Sequence, residues 1–171
     1  AMYRDALQQP GVIGISIGTR PDCVSNQVID ILDDIRKEGH EVWLELGLQS
    51  AFDETLVKVN RGHTMAEYRD TALAARRRGI PLCTHLIIGL PDENEYHFHA
   101  SLDAVIDIGV DGLKLHPLHV VKNTMLAYQW RHGGYEPLLK ENYIRIAADL
   151  IERTPEPIVF HRVTATASRN I

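Results

Sequence analysis

The chain has 171 residues, 44% hydrophobic and 24% charged, with 18 basic against 23 acidic side chains and a formal charge of −5. That is enough for one domain with a sizeable core. The charge argues against a protein that binds nucleic acid over its whole surface, and no apolar run approaches the roughly 18 residues a bilayer demands. The opening Ala1-Met2-Tyr3-Arg4-Asp5 lacks the apolar stretch of a signal peptide. Cys23 and Cys83 form neither a metal spacing nor a disulfide framework. A cytoplasmic, membrane-free protein is the expectation.

In chain order, Tyr3–Gln9 reads as a helix end closed by Pro10-Gly11, and Val12–Ile17 as a first strand leading into the loop Gly18-Thr19-Arg20-Pro21-Asp22. Val28, Ile31, Leu32 and Ile35 recur at helical spacing until Gly39. Val42-Trp43-Leu44, continuing to Leu46 and Leu48, is an apolar run typical of a strand buried on both faces. It turns at Gly47-Leu48-Gln49-Ser50 and passes through a short amphipathic segment (Leu56, Val57, Val59) to Asn60-Arg61-Gly62-His63-Thr64. Thr64 and Glu67 have capping-box spacing, so a helix starts there and runs to about Arg78, where Arg76-Arg77-Arg78 complement its C-terminus.

Pro81–Ile88 is a third strand closing in Gly89-Leu90-Pro91-Asp92-Glu93, and Phe98, Leu102, Val105 and Ile106 mark the helix that Gly109 ends. Gly112–His116 is a fourth strand, followed by Pro117-Leu118-His119 and a short helix near Met125–Trp130. Pro137 suits a helix N1 position, Leu139, Tyr143, Ile146 and Leu150 form the stripe behind it, and Pro157–Val163 is a fifth strand. Strand and helix alternate throughout, which predicts an α/β fold with a mainly parallel sheet of about five strands. Five strands cannot close an eight-stranded barrel, so a partial TIM-type βα barrel is expected, as a single domain over residues 1–171.

The carboxyl ends of parallel strands are where such folds keep their ligands. Arg20, Gln49, Ser50, Asp92, Glu93, His116 and His119 would share that rim, with Thr84 or His85 inside it and Arg61 arriving from the next loop. This is a polar cup for an anionic, hydrogen-bonding ligand. The same residues also fit a plain turn and a solvated charge. Among the nine histidines, His85, His116 and His119 with Asp92 make a zinc-dependent hydrolase of barrel type the alternative. A non-catalytic binding module is a third reading. His97 and His99, two apart on a helix, are expected on its solvated face, and His161 is expected to be structural.

Taken together, VWLELGLQS, NRGHT, THLIIGLPD, DGLKLHPL and IVFHRV resemble the radical S-adenosylmethionine (SAM) superfamily, in order and spacing over nearly the whole chain. ISIGTRPD adds to the likeness. The bacterial YhcC-like branch is most similar in detail; the Elongator catalytic subunit and the oxygen-independent coproporphyrinogen oxidase are next. The resemblance implies that Gln49 bonds the SAM ribose, that Arg61 reaches the methionine carboxylate, and that Ile87 and Leu118 touch adenine. Ser50 belongs to the same motif, and His85 holds the polar position opening the strand that ends in GLP. It also implies a [4Fe–4S] cluster that delivers one electron to SAM, yielding a 5′-deoxyadenosyl radical. The superfamily's CxxxCxxC loop and its glycine-rich segment do not occur in these 171 residues. The chain is therefore expected to be the C-terminal portion of a radical SAM core barrel, inactive by itself. The Elongator likeness suggests a tRNA base as substrate, a precursor of a small cofactor being the other option, with LKLHPL in place of the Elongator-like LKLYPT. Homodimer formation through an open sheet edge is the expected assembly.

Overall fold

The computed structural model describes residues 2–165. Five parallel strands form one sheet in the order β1-β2-β3-β4-β5: β1 Gly14–Thr19, β2 Glu41–Gln49, β3 Leu82–Ile88, β4 Gly112–Pro117 and β5 Val159–Arg162. Sequential order with right-handed crossovers is the winding of a βα barrel, and five staves of it make an open arc. Among the described residues seven α-helices connect and cover the strands: α1 Met2–Leu7, α2 Asn26–Lys37, α3 Asp53–Lys58, α4 Met65–Arg77, α5 Glu95–Ile108, α6 Met125–Arg131 and α7 Lys140–Arg153. Among the described residues no helix is long and apolar enough to cross a membrane.

The helix ends are set by local chemistry. Thr64 and Glu67 close the expected capping box: the Glu67 N–H donates to Thr64 Oγ1 and the Thr64 N–H to Glu67 Oε2. Gly109 takes the left-handed conformation that ends α5, at φ 83°, and a Cβ there would strike the Arg76 guanidinium at 2.9 Å.

The core lies between the sheet and the helices. Leu44, Leu46 and Leu48 of β2, Leu82, Leu86 and Ile88 of β3, and Leu113 and Leu115 of β4 point into it. They meet Leu32 and Ile35 of α2, Tyr68, Ala72 and Ala75 of α4, and Phe98, Leu102 and Val105 of α5. Tyr68 is fully buried, and its hydroxyl bonds Thr84 Oγ1. Thr84 therefore belongs to the helix side of the sheet, and His85 to the other.

Several boundaries differ from expectation. Ile29 faces the core in α2, while Ile31 is 43% exposed, because the buried stripe is centred one residue away from the spacing chosen. Pro137 is not at N1: it lies in an irregular segment, and α7 begins three residues later at Lys140, behind an exposed Leu139. His97 is no solvated bystander but the N3 partner in the Asn94 capping box, and His99 bonds Asp149 of α7 at 2.5 Å.

Candidate functional site

A cavity of about 550 Å³ opens at the carboxyl end of the strands, between β2, β3 and α6. Gln49, Asn60, Arg61, Ile87, Leu90, Leu118 and Gln129 are among its walls. Four sequence-selected residues, Gln49, Arg61, Ile87 and Leu118, thus meet around one space of small-ligand size.

Gln49 is aimed by a break in the strand. The β2–β3 register shifts between Gly47 and Gln49, and Gln49 takes φ 79°, a conformation side-chain-bearing residues seldom adopt. This turns its amide back over Gly47. A Cβ on Gly47 would lie 2.4 Å from Arg61 Nη2 and 2.5 Å from Gln49 Nε2. Glycine is required there because an amide and a guanidinium occupy the place of its side chain.

Arg61 is held by its donors. Nη2 donates to the Gly47 carbonyl at 2.8 Å, and Nε donates to His63 Nε2 at 3.2 Å. His63 Nε2 also lies 3.0 Å from the same Gly47 carbonyl, and its Nδ1 lies 3.3 Å from the Thr64 carbonyl, so the ring packs against both the guanidinium and the strand end. His63, 6% exposed, is a support the sequence reading passed over. Arg61 forms no ion pair among the described residues. Burial, then the nearby Arg20 guanidinium, lowers its pKa from the usual value, yet arginine stays charged. Among the described residues, the cavity wall therefore bears a half-buried cation with no carboxylate paired to it.

The other selected residues lie elsewhere. Ser50 is fully buried; its hydroxyl donates to Glu93 Oε1 at 2.5 Å and accepts from the Phe52 N–H at 3.1 Å. It ties the second turn to the third and does not line the cavity. His85 sits below the cavity, its Nε2 donating to Glu45 Oε2 at 3.0 Å. Arg20 pairs with Asp22, and the exposed Asp92 pairs with Lys58.

The zinc reading is overturned by these placements. His85 is committed to Glu45, His119 faces a separate apolar cavity with Trp130 and Tyr143, and Asp92 lies on an exposed turn. Among the described residues no three His, Cys, Asp or Glu side chains gather to hold a metal ion.

The sequence reading also missed Glu45. On the sheet face turned away from the helices, this 9%-exposed carboxylate accepts from Ser16 Oγ at 2.7 Å, from His85 and from Lys114 Nζ, with His161 Nδ1 at 3.9 Å. Although burial opposes ionisation, the Lys114, Ser16 and His85 donors hold its carboxyl down at about 2. Beside it, the His116 ring stacks on His85 at 5.8 Å, and burial pulls the His116 pKa down to about 4.

Residues 2–105 match the family model described as the radical SAM superfamily, and residues 110–171 match that of the Radical_SAM C-terminal domain. Protein YhcC of Escherichia coli is 45% identical over 169 residues, 99% of this chain and 55% of that protein. The chain thus spans about half the length of this relative. Among solved structures, the archaeal Methanocaldococcus infernus Elp3 superposes with a TM-score of 0.76 at 25% identity, covering 93% of this chain and 36% of that one. Coproporphyrinogen III oxidase (HemN) of Escherichia coli shares the fold, with a TM-score of 0.61 at 24% identity over 81% of this chain and 31% of that one.

Proposed function

The chain belongs to the radical SAM superfamily, and on that premise we propose that its strand-end cavity is the binding place for SAM. The carrying observation is the unpaired Arg61 guanidinium beside the Gln49 amide, over a glycine that leaves room for both. Arg61 would hold the methionine carboxylate, since a guanidinium forms a two-pronged pair with a carboxylate. Gln49 would bond the ribose diol, because an amide both donates and accepts. Ile87 and Leu118 offer the apolar surface suited to adenine.

Membership implies SAM and a [4Fe–4S] cluster as cofactors of the superfamily. Reduced by one electron, SAM supplies chemistry that abstracts hydrogen from a substrate. The residues present fit SAM. They do not supply cluster ligands, which are ordinarily thiolates, because Cys83 is buried in β3 with its pKa raised by burial to about 12, while Cys23 is exposed beyond β1. The role of this chain is to bind and orient SAM.

The substrate class favoured is a tRNA base, on the motif likeness to the Elongator catalytic subunit. Equilibrium dialysis of the full-length protein against SAM tests the site. Arg61→Met should weaken binding at least about tenfold, the loss expected for one charge-assisted hydrogen bond. Equal binding by wild type and Arg61→Met would refute the assignment.

A further inference from the structure

The row of polar groups below the cavity is more than the core needs. Parallel pairing places Gly47, His85 and Lys114 in one row, with Glu45 one step below it on the same face. His116 pairs with Ile87, whose side chain lines the cavity. The cluster therefore begins where the cavity ends.

Two of its groups have unused hydrogen-bonding capacity. His116 Nε2 is buried and has no partner among the described residues, a condition that calls for a ligand or water. Lys114, whose side chain is 14% exposed, makes one hydrogen bond among the described residues, to Glu45, and an ammonium has three donors. Glu45 accepts from Ser16 on Oε1 and from both His85 and Lys114 on Oε2. It fixes the ammonium and leaves its remaining protons to point away from the carboxylate.

We propose that Lys114 and His116 form an inner site beneath the cavity that holds a neutral carbonyl group of the molecule acted upon, with Glu45 as the positioning residue for Lys114. The inference deepens the SAM reading, on which its place under the cofactor rests. The ligand class follows from charge. Lys114 is already balanced by Glu45, and burial keeps His116 neutral at ordinary pH, so a free carboxylate would bring a charge with little to neutralise it. Arg162 of β5, paired in register with Lys114, and His119 also act on His116, and Arg162 is exposed to water. A carbonyl oxygen can take one ammonium proton and one imidazole N–H, satisfying both groups without adding charge.

The test uses full-length protein carrying 15N-labelled histidine, with His116→Gln to assign the His116 ring signals. Succinimide supplies neutral carbonyls and acetate the anion; SAM binding is measured alongside by dialysis. Succinimide should move the His116 Nε2 resonance saturably, Lys114→Met should raise the half-saturating concentration about tenfold, and Glu45→Gln should raise it severalfold, with SAM affinity held within about twofold. Two results would overturn the inference: succinimide leaving His116 unmoved while SAM binds, or variants that lose thermal stability without changing the half-saturating concentration. Tighter binding of acetate than of succinimide would overturn the neutral-carbonyl assignment. If succinimide titrates His116 while SAM fails to bind, the cofactor reading falls and the inner site stands.

Discussion

Gly47→Ala is the most direct test of how the cavity is built. The added methyl carbon would lie 2.4 Å from Arg61 Nη2, 2.5 Å from Gln49 Nε2 and 3.5 Å from Arg61 Cζ. The two closest contacts fall about 1 Å short of ordinary van der Waals separation. Both obstructing atoms end flexible side chains, so the protein can relieve the clash by moving them, at the cost of the Arg61 bond to the Gly47 carbonyl. Overpacking costs about 1–3 kcal/mol when side chains must shift, and the stiffer unfolded chain returns roughly 0.4–1 kcal/mol. A net loss of about 0–2 kcal/mol leaves a folded protein. SAM affinity should fall as well, because both proposed ligand groups are displaced: about tenfold for the charge-assisted bond of Arg61, and further for the amide bond of Gln49. Thermal melts paired with equilibrium dialysis read the two effects separately. A folded Gly47→Ala protein that binds SAM as the wild type does would show that Arg61 and Gln49 are not its ligands.

Glu45, held at about 2 against an ordinary 4.5, contributes stability that is present above pH 4.5 and lost as pH falls toward 2. Urea melts across that window should lose ~3 kcal/mol in wild type, and that slope should be missing in Glu45→Gln; identical slopes would refute the hub. Tyr68→Phe removes the partner of the buried Thr84 hydroxyl and should cost about 1–3 kcal/mol in denaturant melts, whereas adding Thr84→Val should recover part of the loss. Thr64→Ala opens the capping box of α4 and should cost about 0.5–2 kcal/mol by the same measurement.

The fold was legible because its signals are periodic and punctuated. Strand runs such as Leu82–Ile88 end in glycine turns, and Gly109 stops α5 as read. What the pattern left open was phase. In α2, apolar residues at 28, 29, 31, 32 and 35 make a stripe wider than the buried face, so spacing alone could not exclude Ile31. At the site, Gln49 and Ser50 look equivalent in sequence, but the register shift after Gly47 sends one amide over the cavity and the next hydroxyl onto Glu93. Such irregularities arise from the tertiary context of the turn, which no local spacing encodes.

Glu45 was a different kind of miss, since its signal was present. Val42–Leu48 reads as a strand buried on both faces, yet one carboxylate interrupts it. A charge cannot remain there unless neighbouring strands supply partners on the same face. In DGLKLHP, two strands away, a lysine interrupts an equally apolar run, and His85 lies on the strand between them. Opposite charges in alternating positions of nearby parallel strands thus announce a polar barrel interior before any coordinates are known. Apart from Thr84, the helix-facing positions of these strands are apolar and would fold the sheet without such a cluster. Since a buried ion pair adds little stability over apolar packing, the presence of Glu45, His85 and Lys114 points to what the sheet holds.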